Sequence, residues 1–273
     1  MANLNNKTLF ITGASRGIGR AIALRAARDG ARIVVAAKST EDNPRMPGTI
    51  YSTASEIEAA GGQALPVLLD VRDENQIADT VNQTVKHFGG IDILINNASA
   101  IHPHGTLDTP MKRYDLMMNI NVRGTFACAQ ACLPHLLKAA NPHILTLCPP
   151  IDLNPKWFRP HAAYTTSKYA MSMISLGLAE EFRIQGVASN GLWPRTLIAT
   201  AALNLAAPGE AHRSRRPDIM ADAAHYILTQ NSRLVSGRFF LDEEALREQG
   251  VTDFDHYATV PGVAPIIDFF VEP

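Results

Sequence analysis

Tyr164 and Lys168 stand four residues apart in Tyr164-Thr165-Thr166-Ser167-Lys168. On a helix this spacing puts a phenol and an ammonium on one face. The apolar positions Met171, Ile174, Leu178 and Phe182 continue at helical intervals, which predicts a helix near 162–185. A free phenol has a pKa of roughly 10, too high for acid–base work at neutral pH. A nearby ammonium favours the phenolate and lowers that value. The expected chemistry is proton exchange with an oxygen that gains or loses charge. The plainer alternative is an ordinary pair on a helix surface.

A second constellation lies roughly 150 residues earlier, in Thr12-Gly13-Ala14-Ser15-Arg16-Gly17-Ile18-Gly19. It follows the apolar run Leu9-Phe10-Ile11 and precedes a helical pattern at Ala21-Ile22-Ala23-Leu24. A strand, a glycine-rich turn and a helix therefore meet at one point, where free N–H groups and the positive helix end can hold a phosphate. The glycines permit the tight turn and close backbone approach that a pyrophosphate needs. The spacing Gly-x-x-x-Gly-x-Gly differs from the usual dinucleotide fingerprint, so a purely structural turn also fits. The candidate cofactor contacts here are Gly13, Ser15, Arg16, Gly17, Ile18 and Gly19.

The next predicted strand ends Ala36-Ala37-Lys38-Ser39, without the carboxylate that would bind a ribose diol. Lys38 and Arg16 are placed to meet a 2′-phosphate, through contacts about twice as strong as neutral hydrogen bonds. NADP is therefore expected over NAD. The alternative for Lys38 is a solvated lysine at a strand end.

Apolar runs and helical patterns alternate along the chain. Strands are expected at Thr8–Ile11, Arg32–Ala37, Ala64–Leu69, Ile91–Ile95, His143–Leu147, Val187–Trp193 and Arg238–Leu241. Helices are expected near 18–29, 51–60, 74–87, 111–139, 162–185 and 217–230. Such alternation, with strands that are apolar on both faces, predicts an α/β fold: a doubly wound, parallel, seven-stranded sheet in a single domain. The 273 residues, 46% of them hydrophobic, suffice for one large core. A net charge of −1 argues against a nucleic-acid footprint. Cys128, Cys132 and Cys148 form no CxxC pair and no metal spacing. They read as reduced thiols of a cytoplasmic protein, with Cys128 and Cys132 as core fillers, and no metal site is expected. No signal-peptide pattern and no apolar run of membrane-spanning length is present. Thr40 to Thr49, with Pro44, Pro47 and Gly48, must be a loop, placed where an adenine end could be covered. The tail ends in Ile266-Ile267 and Phe269-Phe270, which would be costly to leave in water.

Two further motifs complete a pattern. Asn96-Asn97-Ala98-Ser99 follows Ile91-Asp92-Ile93-Leu94-Ile95, and Asn121-Val122-Arg123-Gly124-Thr125-Phe126 lies between them and Tyr164. From about Lys7 to Asp242 the chain resembles the short-chain dehydrogenase/reductase family. The resemblance implies a Rossmann fold over 1–242, with 243–273 as an extension packed on the same domain or a neighbouring subunit. It implies hydride transfer between a nicotinamide and a carbonyl or alcohol, with Tyr164 as catalytic acid/base and Lys168 reaching both phenol and nicotinamide ribose. Asn121 resembles the asparagine that holds a relay water, and Asn119 is the decoy two residues earlier. Asp70 resembles the acid that bonds the adenine amine, with Val71 beside it. Asn97 and Ala98 resemble residues lining the ribose, and Pro194 the residue beside the nicotinamide. The family's mobile substrate lid falls at Leu197 to Arg216, where a plain surface loop remains open. The family's four-helix interface would use the helices near 111–139 and 162–185, so a homotetramer, or at least a dimer, is expected. Phe10 to Gly19, Ile33 to Lys38, Gly89 to Ser99, Leu107 to Pro110 and Asp152 to Trp157 resemble a subgroup whose members carry a C-terminal sterol-carrier-like domain. This chain would be the dehydrogenase portion alone.

The sequence also departs from the family. A serine that polarises the carbonyl is expected at the end of the fifth strand, but Leu147-Cys148-Pro149-Pro150 places Pro149 there. Proline offers neither hydroxyl nor N–H, and the adjacent thiol is a weak donor. Losing one such donor costs about 100- to 1000-fold in turnover. Either another donor replaces it or turnover is slow. Pro194-Arg195 stands where Pro-Gly is usual and puts a cation near the pyrophosphate or the lid. The expected function is an NADP-dependent oxidoreductase for a hydrophobic carbonyl or secondary alcohol of steroid, fatty-acyl or terpenoid type. Trp157, Phe158 and Trp193 are candidates for its apolar wall, or for core. The alternative is a nucleotide-binding regulatory or scaffold protein with low or no catalytic activity.

Overall fold

The computed structural model describes residues 3–44 and 46–272. Seven strands, β1 (Thr8–Thr12), β2 (Arg32–Ala37), β3 (Gln63–Leu68), β4 (Ile93–Asn96), β5 (His143–Thr146), β6 (Ala188–Trp193) and β7 (Phe239–Leu241), make one sheet in the order β3-β2-β1-β4-β5-β6-β7. Every pairing is parallel. Strands β1, β4, β5 and β6 are buried along their whole length, which explains their continuous apolar runs. Pro66 is tolerated because β3 is an edge strand.

The helices are α1 (Gly17–Ala27), α2 (Ile50–Ala59), α3 (Glu74–Phe88), α4 (Met111–Met117), α5 (Thr125–Leu136), α6 (Ala162–Glu181), α7 (Ala201–Ala206), α8 (Asp218–Leu228) and α9 (Asp242–Glu248). Alternate strand residues feed two cores. Leu9, Ile11, Ile33, Val35 and Ile95 pack with residues of α1, α8 and α9 on one face. Phe10, Val34, Leu94 and Ile144 pack with residues of α3 and α5 on the other. Cys128 and Cys132 belong to this second core as free thiols.

The sheet order reverses between β1 and β4, and the glycine turn, Lys38, Asp70 and Asn97-Ala98 follow the C-terminal ends of β1, β2, β3 and β4. That is the crevice where parallel α/β sheets bind ligands. The single helix expected near 111–139 is instead α4, a π-helical segment Met118–Gly124, and α5. A π segment widens the helix locally and is common at functional sites. Gly124 lets this segment approach the β3 loop, since a Cβ there would lie 2.9 Å from Val71 Cγ2. Helix α6 stops at Glu181, earlier than the expected 185.

Beyond β7 the chain crosses back over the sheet's C-terminal edge. Phe254 and Tyr257 join the first core, and Phe270 and Val271 join a third cluster with Tyr164, Tyr169 and Trp193. Ile267 packs against this cluster too, while Phe269 stays 40% exposed with its ring 4.8 Å from that of His161.

Candidate active site

A cavity of about 420 Å³ runs along the strand ends. Its walls include Gly13, Ser15, Arg16, Gly17, Ile18, Lys38, Asp70, Val71, Asn97, Ala98, Tyr164, Lys168 and Pro194. These predicted residues, distant in sequence, therefore share one space. Gly19 and Asn121 stand behind its wall.

The glycine turn is built for close approach. Gly13 and Gly17 have φ of +66° and +56°, which favours glycine. A Cβ on Gly19 would lie 2.5 Å from Asn97 Nδ2 and 2.7 Å from the Gly13 carbonyl oxygen. The Asn97 side chain is a clamp: Nδ2 donates to the Thr12 and Gly13 carbonyls at 2.9 and 3.0 Å. Thr12 Oγ1 accepts from the N–H groups of both Asn97 and Ala98 at 3.0 Å. Thr12 was not legible as a site residue, because a threonine ending a buried strand reads as core. Arg16 takes the N-cap position of α1 in extended conformation and provides no side-chain cap. The first N–H groups of α1 are thus free to meet an anion.

At the far end of the cavity, Arg16 donates to Ser39 Oγ at 2.8 Å and to the Pro47 and Gly48 carbonyls at 3.1 and 2.7 Å. Partial burial lowers its pKa. The Thr40–Thr49 loop folds over this end and contributes Met46 to the wall. Lys38 is half exposed and lies 3.4 Å from Asp70. Asp70 also accepts from Arg72 Nε at 2.9 and 3.0 Å, a cation the sequence reading did not single out. Arg72 is the main cause, with Lys38 adding, of an Asp70 carboxyl held down at about 2. No carboxylate ends β2, so the cations Arg16 and Lys38 meet no acid from that strand.

At the reacting end, the π segment turns Asn121 inward. Its Oδ1 accepts from Ala100 N at 2.7 Å, and its Nδ2 donates to Ala100 O and Ser167 Oγ, both at 3.0 Å. Asn121 thereby ties the loop after β4 to α6, one turn from Tyr164. Lys168 Nζ donates to the Leu147 carbonyl at 2.6 Å and lies 5.0 Å from the Trp193 ring centre. Burial lowers the Lys168 pKa to about 8, against the opposing pull of Cys148 and Asp268. The Tyr164 phenol is not lowered as its spacing from Lys168 suggested. Burial first, and the negative Asp268 second, push it up. Desolvation of the phenolate outweighs an ammonium that points toward Leu147.

The strand end that should carry the serine carries no donor into the cavity. Pro149 gives only its carbonyl, which accepts from Ser172 Oγ at 2.7 Å. Cys148 is fully buried, its thiol pushed up to about 11 by burial. It faces β6, where a Cβ on Gly191 would lie 3.0 Å from its Sγ. Arg195 is absent from the cavity wall; it sends its guanidinium toward Glu243, 3.9 Å away, the carboxylate that also pairs with Arg215 of the 197–216 segment, so this cation stands beside the expected lid. Trp193 lines the cavity, but Trp157 and Phe158 pack behind it among Tyr164, Tyr169 and Phe270. The lid region forms α7 and a short 3-10 turn, Glu210–Arg213. Its Ala201, Ala202 and Leu203, together with Ile101, Ile120 and Leu197, give the cavity an apolar side. Asp268 and Phe269 of the tail also line it, and nothing in their spacing had marked them.

The residues present fit a nicotinamide dinucleotide. The Gly13–Gly19 cradle would be filled by any Cβ on its inner face, and the N-terminus of α1 opens onto it. Among the described residues no group of three His, Cys, Asp or Glu side chains could hold a metal, and no helix is long and apolar enough to cross a membrane.

Comparison with known proteins agrees. The short chain dehydrogenase family model matches residues 7–208. Hydroxysteroid dehydrogenase-like protein 2 of Danio rerio is 57% identical over 97% of this chain, and that of Homo sapiens 55% over the same share. The chain spans 64% and 63% of those two relatives' lengths. A candidate dehydrogenase structure from Xanthomonas campestris, 58% identical, superposes with a TM-score of 0.97 over 99% of this chain and 100% of its own. A short chain dehydrogenase from Mycobacterium thermoresistibile, 52% identical, gives 0.94 over 99% and 96%. The chain belongs to the short-chain dehydrogenase/reductase family of nicotinamide-dependent oxidoreductases.

Proposed function

We propose that the protein is an NADP(H)-preferring oxidoreductase acting on a hydrophobic carbonyl or secondary alcohol. The observation that carries this reading is one continuous cavity, with Arg16 and Lys38 at one end and Tyr164 and Lys168 at the other. When bound, the nicotinamide supplies or accepts the hydride. The α1 N-terminus and the glycine turn would hold the pyrophosphate, Asn97 and Ala98 the ribose, and Pro194 the nicotinamide side. Arg16, Lys38 and Ser39 would bind a 2′-phosphate, with the free β2 end supporting NADP over NAD. Tyr164, kept as a neutral phenol by burial, holds the proton that a reduced carbonyl oxygen takes up. Lys168 would bind the ribose and steady that transfer, while Asn121 fixes the backbone that carries it. The apolar wall of Ile101, Ile120, Leu197 and α7 supports a steroid, fatty-acyl or terpenoid skeleton. The name shared by the 55–57% identical relatives points to the first of these.

The exposed Phe126 on α5 and Met173 and Leu176 on α6 support pairing of these helices between subunits, in a dimer or tetramer. Three buried, unpaired thiols support a reducing compartment such as the cytoplasm. The test of the function is a panel of hydrophobic ketones, aldehydes and secondary alcohols assayed with NADPH, NADH and their oxidised forms by nicotinamide absorbance. Consumption of NADPH by at least one carbonyl is expected; none across the panel overturns the reading. A nucleotide-binding protein of low or no activity would then stand, favoured by one observation: β5 brings no hydrogen-bond donor to the cavity.

A further inference from the structure

The C-terminal tail supplies the cavity with a carboxyl group. Residues 266–269 are stitched along the segment after β6. Leu197 N donates to Ile266 O at 2.9 Å, Asp268 N to Arg195 O at 3.0 Å, and Trp193 Nε1 to Phe269 O at 2.8 Å. Ile266 N adds a bond to Arg213 O of the lid at 2.9 Å. The next residue, Phe270, has φ +68°, a strained value for a bulky side chain. Its ring is buried 5.3 Å from Tyr169 and 5.7 Å from Trp193, centre to centre. Strain held by packing marks places where the exact position of a neighbour matters. That neighbour is Asp268, which lines the cavity beside Tyr164 and Lys168 and couples electrostatically to both.

We propose that Asp268, in its carboxylic-acid form, donates the hydrogen bond to the substrate carbonyl oxygen that the Pro149 position lacks. This rests on the oxidoreductase reading above. In the reduction, the carbonyl carbon gains a C–H bond from the nicotinamide hydride, and the reduced nicotinamide is oxidised. The carbonyl π electrons move to oxygen, which takes the Tyr164 proton as the phenolic O–H breaks. Asp268 keeps its own proton and stabilises the developing charge. The acid form is accessible because Asp268 is shifted up to about 7, by burial first. The Phe269 N–H pulls it down, Asp242 adds to the rise, and Lys168 opposes it. The other charged or titratable groups around it are Tyr164 on α6, His161 at the N-cap of that helix against Phe269, and Arg195 after β6, whose carbonyl accepts from the Asp268 N–H. Arg195 is turned toward Glu243, and the His161 pKa is lowered by burial. Asp268 keeps part of its surface open to the cavity.

The test compares kcat for carbonyl reduction with NADPH across pH 6 to 9 in the wild type, Asp268→Ala, Asp268→Asn and Tyr164→Phe. Asp268→Ala should lower kcat about 100-fold, in line with a lost oxyanion donor, with NADPH affinity preserved. Asp268→Asn retains a donor that does not titrate. It should keep most of kcat, and the decline of the wild type near pH 7 should move up to that of Lys168 at about 8. Wild-type kcat in Asp268→Ala, or an unmoved decline in Asp268→Asn, overturns the proposal while a dead Tyr164→Phe leaves the oxidoreductase reading intact. Equal loss in Ala and Asn variants assigns a purely structural role and also overturns it. If the wild type reduces no carbonyl, both readings fall together.

Discussion

Lys168 should be a residue whose removal stabilises the protein while destroying its function. The ammonium is buried, and its pKa falls from 10.5 to about 8. A folded-state value below the unfolded one means the folded protein binds that proton less tightly. The unfavourable contribution is full below about pH 8 and disappears as pH rises toward the unfolded value. Its size, from the shift, is on the order of 3 kcal/mol. Lys168→Met keeps the stem volume and removes the charge. It also leaves the Leu147 carbonyl without its 2.6 Å partner, a loss of about 1 kcal/mol. The net expectation is a gain of about 2 kcal/mol at pH 7. That corresponds to a rise in Tm of roughly 4 °C for a chain of this size. The gain should shrink between pH 8 and 10.5 and turn into a small deficit above it. Urea unfolding at fixed protein concentration, at pH 7 and at three values up to 10.5, measures this directly. Turnover and NADPH binding should collapse in the same variant. A Lys168→Met protein less stable than the wild type at pH 7, or a difference that does not change with pH, would refute the electrostatic argument.

Three further outcomes follow from the site. Lys38→Asp should shift preference toward NADH, because it restores an acid to the end of β2; isothermal titration with both reduced cofactors checks it, and tighter NADH binding by the wild type would remove its basis. Tyr164→Phe should lower turnover at least about 100-fold with little change in NADPH affinity, since only the transferable proton is lost; steady-state kinetics with a fluorescence titration decide it. Gly19→Ala should abolish measurable dinucleotide binding or unfold the turn, because its Cβ would lie 2.5 Å from Asn97 Nδ2; a folded variant that binds NADPH normally would show that the clamp yields.

The strands and the glycine turn were legible because their physics is local. Strands buried on both faces write unbroken apolar runs, and a turn at φ of +66° and +56° requires Gly13 and Gly17. The π segment was not legible. Within Met118–Gly124 the apolar residues Met118, Ile120 and Val122 alternate, a pattern that carries no signature of a widened helical turn. Yet this segment is what directs Asn121 at Ala100 and Ser167. For Arg195, spacing located the cation but not its partner: Glu243, 48 residues on, decides where it points and is shared with Arg215. Asp268 stands 104 residues after Tyr164 in a tail without periodicity, and no spacing rule connects the two.

The phenol and the ammonium also show where spacing stops being an electrostatic argument. Four residues along a helix bring Tyr164 and Lys168 to one face, and on an exposed helix the ammonium would favour the phenolate. In this fold both are buried, and burial penalises each charged form separately: the phenol rises and the ammonium falls. When Asp268 is ionised, the tail adds to the first effect, since its charge raises the phenol further, and opposes the second. Protonation at the reacting end is therefore set jointly by α6 and by residues 266–270, which the lid and the segment after β6 hold in place through Arg213, Arg195 and Leu197. A change at the Arg213–Ile266 hydrogen bond that shifted Asp268 would therefore alter the charge that both Tyr164 and Lys168 feel.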